Sequence, residues 1–333
     1  MKKTELGNSG VFSSILGFGC MGMSEFYGQG NEADSLRTLE RAYDLGVTHF
    51  DTSDVYGRGE NERLVGRFAR GKCDKIMLST KFGVSRDPEG PQNSTYDREI
   101  NNSPDYMRQC CDESLRRLGR ECIDLYYVHR VDPAVPIENT IGALADLVQE
   151  GKIRAIGLSE VSGELLQRAC DVHPIAALQS EYSLWSREVE SEILPLCTRL
   201  GVTFVAYSPL GRGFLSGAIN SESDLEPDDI RRTLPRFRSD NLDRNRRLLQ
   251  GLKKFADGKG ISLSQLALAF ILRRRERIIP IPGTKRVRYL EENVASTEVT
   301  LSDQEIKCLE ELMPVGIASG EAYDSAYGGA PKS

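Results

Sequence analysis

The sequence of 333 residues predicts an α/β protein, a closed (β/α)8 TIM barrel with long loops at its C-terminal mouth and extra helices. Short apolar runs recur along the chain, segments with helical periodicity separate them, and ionisable residues stand at the ends of several runs. Short apolar runs are typical of parallel strands that are covered on both faces. The eight predicted strands span residues 15–19, 47–51, 76–81, 123–129, 153–158, 175–179, 202–207 and 278–281.

Residues that favour helix ends separate these runs. Ser103 followed by Pro104 predicts an N-cap with proline at the first helical position. The segments 262–265 and 302–305 have the spacing of a capping box and precede apolar helical patterns. Glycines such as Gly201 stand just before predicted strands and indicate where the preceding helices end.

An open, doubly wound sheet is the alternative to a barrel, and one glycine motif distinguishes the two. Gly17, Gly19 and Gly22 read as G-x-G-x-x-G, which in a dinucleotide-binding open sheet follows the first strand and begins a helix. No helical pattern begins here until about Asn31. The motif lacks its structural context, so the barrel is favoured.

Composition and charge exclude several functional classes. The formal net charge of −6 disfavours non-specific binding to nucleic acid or to an anionic membrane. The eight cysteines include no C-x-x-C pair and there are three histidines, so we expect no metal site. We also expect no signal peptide and no membrane span, and hence a cytoplasmic protein with reduced thiols.

The whole chain, residues 1–333, is predicted to form a single barrel domain. Three polar or glycine-rich segments interrupt the alternation of strands and helices, at residues 85–103, 211–240 and 314–333. Segments of this length without regular structure are usually functional lids or disordered. For the tail, residues 314–333, flexibility is the alternative to a lid.

Ionisable side chains end three predicted strands: Asp51, Lys81 and His129. The C-terminal ends of barrel strands surround the active-site mouth, so these side chains are predicted to meet there. Tyr56 lies in the loop that follows Asp51 and is predicted to reach the same mouth.

This set of side chains predicts the reduction of a carbonyl group. Hydride transfer to a carbonyl makes an alkoxide that needs a proton, which the phenol of Tyr56 can supply. We expect the ammonium of Lys81, held charged by Asp51, to lower the pKa of Tyr56 from about 10 towards neutrality. Neutral His129 is expected to donate a hydrogen bond to the carbonyl oxygen. Each residue also has an ordinary structural interpretation, and their joint placement favours catalysis.

Around these residues the chain resembles the aldo-keto reductase superfamily. The stretches FDTSDVYG, STKFG and LYYVHR match the Asp, Tyr, Lys and His tetrad of that family in order. The resemblance extends from residue 16 to residue 293. The stretches GCMGMS and LQSEYSLW are similar to the branch that contains plant perakine reductase and the auxin-induced-like reductases. The resemblance implies an enzyme that uses NADPH to reduce an aldehyde or ketone.

The resemblance also implies NADPH in an extended pose across the barrel mouth. Ser159 and Gln179 would bind the carboxamide, and Tyr207 would stack under the nicotinamide ring. Residues 208–213 would follow the pyrophosphate, residues 283–286 would meet the 2′-phosphate, and residues 292–293 the adenine. A phosphate favours cations near a helix start, which agrees with the basic residues after the last strand. The implied cofactor residues are Met21, Ser159, Gln179, Tyr207, Ser208, Pro209, Leu210, Gly211, Arg212, Gly213, Gly283, Thr284, Lys285, Arg286, Glu292 and Asn293.

One position departs from the family pattern. Many relatives have Asn where this chain has Glu160, and an ionised carboxylate donates no hydrogen bond. We therefore expect Ser159 to bind the carboxamide without help from Glu160.

Other functions stay open at this point. A non-catalytic NADPH-binding subunit is the alternative, as in the potassium-channel β subunits that resemble this fold, although those typically change the His position. A metal-dependent hydrolase is a weaker alternative, since no ligand cluster is visible. The substrate is predicted to be a small carbonyl compound. Trp185, Phe26, Tyr27 and Phe82 could form an apolar pocket for it, and the alternative is that some of these aromatic residues belong to the core. The oligomeric state is open.

Overall fold

The strands form one large sheet and two hairpins in the computed structural model, which describes residues 1–28, 30–86, 98–274 and 277–323. In chain order the strands are β1 Lys3–Glu5, β2 Phe12–Ser14, β3 Phe18–Gly19, β4 His49–Asp51, β5 Met77–Phe82, β6 Val84–Arg86, β7 Arg98–Ile100, β8 Leu125–Val128, β9 Ile156–Ser159, β10 Ile175–Glu181, β11 Thr203–Tyr207 and β12 Ile278–Pro280.

The large sheet closes into a barrel. Its parallel strands follow the order β3-β4-β5-β8-β9-β10-β11-β12. Two backbone hydrogen bonds join the first and last members, from Gly17 N to Pro280 O (2.9 Å) and from Gly19 N to Pro282 O (3.3 Å). The predicted TIM-barrel fold is confirmed, and each of the eight predicted runs overlaps one of its strands.

The glycine motif serves this closure. A Cβ atom at Gly19 would lie 2.8 Å from the carbonyl oxygen of Ile281, and one at Gly17 would lie 2.8 Å from the Ile281 side chain. Only glycine therefore allows β3 to approach the last strand so closely. A short 3-10 turn, Met21–Met23, follows β3, and the first α-helix begins only at Glu32. The motif thus lacks the helix that a phosphate-binding loop requires.

Helices cover the outside of the barrel. They are α1 Glu32–Asp44, α2 Glu60–Ala69, α3 Pro104–Leu118, α4 Ile137–Gln149, α5 Gly163–Val172, α6 Ile193–Leu200, α7 Ser239–Lys259, α8 Leu263–Arg273, α9 Val287–Ala295 and α10 Asp303–Leu312. The capping boxes predicted for α8 and α10 are present, with Ser262 and Ser302 as N-caps. The helix α3 begins with Pro104 as predicted, but the Ser103 side chain makes no capping hydrogen bond.

The hairpin β1–β2, which no pattern in the sequence predicts, covers the N-terminal end of the barrel. Its turn places Leu6 and Val11 in an apolar cluster with barrel-interior residues such as Tyr127. The amide of Gly7 donates to Thr203 Oγ1 at the start of β11 (2.8 Å). One end of the barrel is therefore filled, which leaves the C-terminal ends of the strands for a site.

Two of the segments that interrupt the predicted alternation of strands and helices contain regular secondary structure. Residues 85–103 include most of the hairpin β6–β7, with residues 87–97 outside the described part. Residues 211–240 contain four 3-10 turns and contact the loop after β3, where Ile230 N donates to Phe26 O (2.9 Å). Both segments adjoin the C-terminal mouth, as expected of its long loops.

Candidate active site

The four residues of the predicted tetrad lie close together. Asp51 ends β4, Lys81 lies in β5, His129 directly follows β8, and Tyr56 begins a 3-10 turn after β4. The Nζ of Lys81 is 5.1 Å from the centre of the Tyr56 ring. The rings of Tyr56 and His129 are 5.9 Å apart and nearly perpendicular, at 87°.

Asp51 and Lys81 form a buried ion pair. Lys81 Nζ donates to the carboxylate of Asp51 and to the carbonyl oxygen of Thr52 (2.8 Å). Ser79 Oγ (2.8 Å) and Gln179 Nε2 (2.9 Å) donate to Oδ2 of Asp51. Burial lowers the pKa of Lys81, but the charges and hydrogen bonds of Asp51 and Tyr56 together outweigh burial and hold that pKa above its ordinary value. Lys81 is therefore charged at neutral pH.

The phenol of Tyr56 is deeply buried, and this changes its acidity. Burial raises the pKa of Tyr56, whereas the charge of Lys81 and its hydrogen bond to the phenol lower it. Burial is the larger effect, so the pKa of Tyr56 lies above the ordinary tyrosine value. Lys81 acts in the expected direction, but the expected net lowering is wrong. Tyr56 is a protonated phenol at neutral pH.

His129 contacts a hydroxyl group as well as the Tyr56 ring. Its Nδ1 lies 3.2 Å from Ser53 Oγ. When the Ser53 hydroxyl donates this hydrogen bond, a neutral imidazole carries its proton on Nε2. That tautomer is suited to donate a hydrogen bond to a substrate oxygen.

A cavity of about 410 Å³ opens at the C-terminal ends of the strands. Asp51, Tyr56 and His129 line it. Most of the residues assigned to the cofactor by resemblance line it too: Met21, Ser159, Gln179, Tyr207, Ser208, Pro209, Leu210, Arg212, Gly213, Gly283, Thr284, Lys285 and Arg286.

Four predicted site residues do not line this cavity. Lys81 is fully buried behind it, next to Tyr56. Gly211 packs against Trp185, where a Cβ would come within 2.8 Å of the indole ring. Glu292 and Asn293 lie in α9, and Asn293 is buried, so the structure does not bring these two to the cavity wall.

Lys285 connects two walls of the cavity. Its Nζ donates to the carbonyl oxygens of Tyr27 (2.7 Å) and Gly28 (3.2 Å), which belong to the loop after β3. Burial lowers the pKa of Lys285 from the ordinary lysine value. Arg286 is the N-cap residue of α9, so a cation and a helix start coincide at this end of the cavity.

The beginning of the predicted tail reaches the cavity. Tyr323 lines it, and its hydroxyl is 3.0 Å from the hydroxyl of Tyr207. The guanidinium of Arg212 also donates to the Tyr323 hydroxyl and lies over its ring. Residues 324–333 of the tail lie outside the described part of the chain.

Glu160 is absent from the cavity wall. Its backbone has a positive φ of 54°, which is unusual for a residue with a side chain. Its Oε1 accepts a hydrogen bond from the backbone N–H of Glu181 (2.9 Å). The carboxylate is therefore held by the backbone of β10. The expectation that Ser159 binds a carboxamide without Glu160 stays a prediction.

Sequence reasoning missed several cavity residues. Arg130 directly follows His129, and its position next to a strand end was the available signal. Arg86 and Arg231 lie in the two internal interruptions, where no periodic pattern indicates which side chains face inward. Tyr289 lines the cavity from the first turns of α9.

Two of the four aromatic residues expected in a substrate pocket lie elsewhere. Phe26 and Tyr27 line the cavity. Trp185 stacks on Phe214, with ring centroids 4.0 Å apart, and is buried in the core. Phe82 stacks on Tyr126 at 5.0 Å and is also buried. The expectation for Trp185 and Phe82 is wrong because the Trp185 ring packs against the segment 211–240 and the Phe82 ring packs against Tyr126 in the core.

Among the residues that the structure describes, no group of three or more His, Cys, Asp or Glu side chains is arranged to hold a metal ion. No single helix among the described ones is long and apolar enough to span a membrane. The pair α7 and α8 meets that test only when joined, and it is bent by 87°.

The chain is similar to known proteins over nearly its whole length. The model of the aldo/keto reductase family matches residues 15–314. A probable aldo-keto reductase from Glycine max is 42% identical over 97% of this chain and 92% of its own. An aldo-keto reductase from Schizosaccharomyces pombe, named for NADP(+), is 43% identical over 97% of this chain and 95% of its own.

Solved structures agree with these relatives. The glycerol dehydrogenase of Gluconobacter oxydans superposes with a TM-score of 0.84 at 29% identity, covering 93% of this chain and 94% of that one. The predicted similarity to the perakine reductase branch stays a prediction. The chain belongs to the aldo/keto reductase family and is an oxidoreductase that acts on carbonyl compounds.

Proposed function

We propose that this protein uses NADPH to reduce a small aldehyde or ketone to an alcohol, with Tyr56 as the proton donor. The observation that carries the proposal is the buried cluster in which Lys81 pairs with Asp51 and lies against Tyr56, beside His129. Such a cluster is costly to bury, and perturbed ionisable groups at a cavity favour a catalytic role over a purely structural one.

The composition of the cavity wall supports NADPH as the cofactor. Tyr207 offers an aromatic ring, while Ser159 and Gln179 offer hydroxyl and amide groups near the tetrad. Lys285 and Arg286 offer cations beside the start of α9, which suits a 2′-phosphate. When bound, NADPH supplies the hydride for the carbonyl carbon.

Each tetrad residue has a distinct proposed role. His129 orients the substrate by donating a hydrogen bond to the carbonyl oxygen. As negative charge develops on that oxygen, the proton of the Tyr56 hydroxyl moves to it, which leaves a phenolate beside the Lys81 ammonium. Lys81 stabilises this phenolate, and Asp51 keeps Lys81 charged and in place. The ion pair thus stabilises the phenolate that forms as the proton leaves Tyr56.

The alternative is a non-catalytic NADPH-binding subunit of the same fold. The presence of all four tetrad residues, with His129 against the Tyr56 ring, favours an enzyme. A subunit without catalysis has no need of a buried ammonium beside a phenol.

A screen of carbonyl compounds tests the proposal. Loss of NADPH absorbance is followed for aldehydes, ketones and sugars, with wild type and Tyr56→Phe side by side. We expect at least one efficient substrate, a loss in kcat of about 100-fold or more in Tyr56→Phe, and nearly unchanged NADPH binding. Full turnover by Tyr56→Phe would refute the role of Tyr56. NADPH binding without turnover of any carbonyl would favour the subunit.

A further inference from the structure

Arg130 is a cavity residue to which the proposed reaction assigns no role. It follows His129 and lines the cavity. Its Nη1 donates to the carbonyl oxygen of His129 (2.7 Å) and to Ser159 Oγ (3.2 Å). These contacts fix one edge of the guanidinium in the wall, and they leave its charge near Tyr56, whose pKa that charge lowers.

Arg130 differs in its charge balance from three other arginines of this cavity, and the fourth, Arg286, lies at the proposed 2′-phosphate site. Arg86 faces Glu25 at 2.8 Å, Arg231 faces Asp229 at 2.6 Å, and Arg212 faces Glu181 at 3.7 Å. Each of these three cations therefore has a carboxylate in the protein.

No carboxylate of residues 1–28, 30–86, 98–274 or 277–323 lies within 4.0 Å of the Arg130 guanidinium. Glu160 acts on Arg130 only at longer range, and one of its oxygens accepts a hydrogen bond from the Glu181 backbone. A largely desolvated guanidinium keeps its charge, so it favours an anionic group that enters the cavity.

The phosphates of a dinucleotide are not the expected partners of Arg130. The candidate phosphate contacts follow β11 and β12, whereas Arg130 follows β8 and lies beside the tetrad. Arg130 is thus placed next to the reacting carbonyl, at the substrate end of the cavity.

We propose that Arg130 forms an anion subsite, and that the preferred substrates are carbonyl compounds that carry a carboxylate or phosphate. This inference rests on the proposed function and names the substrate class of that same site. The planar guanidinium suits either anion, since it can donate two parallel hydrogen bonds.

Matched substrate pairs test the subsite. The acids are glyoxylate, succinic semialdehyde and 4-carboxybenzaldehyde, each compared with its methyl ester; glyceraldehyde 3-phosphate is compared with glyceraldehyde. For the anion that the subsite accepts, we expect wild type to favour the charged member by about tenfold or more in kcat/KM. Comparison of the three carboxylate pairs with the phosphate pair shows which of the two anions the subsite accepts.

Variants of Arg130 assign that preference to the guanidinium. Arg130→Met keeps the length of the side chain without its charge, and it is expected to lower kcat/KM about tenfold more for the charged member of each pair than for the neutral member. Arg130→Lys is expected to keep part of the preference, and it serves as a second variant if the first folds poorly. Equal losses on charged and neutral compounds, or a shifted pH profile for the neutral ones, would show an effect on Tyr56 and overturn the subsite.

A binding measurement separates this inference from the proposed reaction. Calorimetry with the NADP(+) complex compares benzoate with benzamide, and we expect benzoate binding to weaken about tenfold in Arg130→Met. Arg130-dependent benzoate binding without any turnover would retain the subsite and refute the reaction. Efficient turnover with no preference for either anion and no such binding would refute the subsite alone.

Discussion

Gln179 donates a hydrogen bond from its side-chain amide to Oδ2 of Asp51, at 2.9 Å. The resemblance assigns Gln179 to the cofactor carboxamide and Asp51 to the tetrad. A single amide therefore connects the proposed cofactor site with the ion pair behind Tyr56. A change at residue 179 is expected to affect both.

Gln179→Glu replaces that donor with a carboxylate directly beside Asp51. Two carboxylates at this distance cannot both ionise easily, so one pKa rises and Lys81 is shared between them. We expect kcat to fall by about tenfold or more at pH 8 and to recover partly at pH 6, where one acid is protonated. Gln179→Leu, which adds no charge, is the control; the same pH dependence in both variants would contradict the explanation.

The ion pair of Lys81 and Asp51 gives a prediction about stability. Lys81→Met leaves the Asp51 carboxylate buried without its cation, which is expected to lower the free energy of unfolding by about 3–5 kcal/mol. Adding Asp51→Asn removes the stranded charge and should restore most of that stability, but not the activity. Urea denaturation and a turnover assay on both variants check this. A double variant as unstable as Lys81→Met would show that the charge is not the cause.

Lys285 is predicted to distinguish NADPH from NADH. Lys285→Ala removes a cation from the proposed 2′-phosphate site, so the Kd for NADPH should rise by about tenfold or more. The Kd for NADH should change less, because NADH has no 2′-phosphate. Arg288→Ala serves as the control, since Arg288 is exposed and is not part of the cavity wall. Equal weakening of both cofactors would remove the 2′-phosphate role.

The acidity of Tyr56 predicts a pH profile for each direction of the reaction. Reduction needs the protonated phenol, and burial raises the pKa of Tyr56 above its ordinary value. The kcat/KM for reduction should therefore stay level through neutral pH and fall only on the alkaline side. Oxidation of the alcohol needs the phenolate, so the kcat/KM for oxidation should increase as the pH rises from neutral to alkaline. A fall in reduction near pH 7 that Tyr56 controls would contradict this assignment.

His49, which lies beneath the tetrad, predicts acid sensitivity. Burial lowers the pKa of His49 from 6.5 to about 4, and its ring contacts Ser79 Oγ at 3.0 Å. Between these pH values the unfolded state binds more protons, so stability decreases as the pH falls. The expected loss is about 3 kcal/mol, at about 1.4 kcal/mol per pH unit. Denaturation of wild type and His49→Gln at pH 4.5, 5.5 and 7 checks this, and equal slopes would exclude His49 as the cause.

The sequence predicted the barrel because its strands are short, apolar and separated by helices with recognisable ends. It predicted that Asp51, Lys81 and His129 meet because strand ends converge in this fold. It did not predict the hairpin β1–β2, since strands of three residues have too little pattern to detect. Nor did it give the net acidity of Tyr56, because burial depends on residues such as Phe26 and Val84 that pack around the phenol from other segments.

The direction of a side chain was also not predictable for Trp185 and Phe82, which were wrongly expected in the substrate pocket. An aromatic residue near a strand end can point into the mouth or out to the helices, and a one-residue difference in register reverses the choice. The charge balance of Arg130 could not be predicted from the sequence either. It depends on which carboxylates approach Arg86, Arg212 and Arg231 in three dimensions.

The two hydrogen bonds that join Gly17 to Pro280 and Gly19 to Pro282 have a consequence for biosynthesis. During translation, β3 leaves the ribosome long before β12 has been made. The growing sheet therefore keeps two open edges until residue 282 has emerged. Unpaired edges attract other chains. We therefore expect chains that stall before β12 to aggregate or to be held by chaperones, and a late release from that state once the last strand is made.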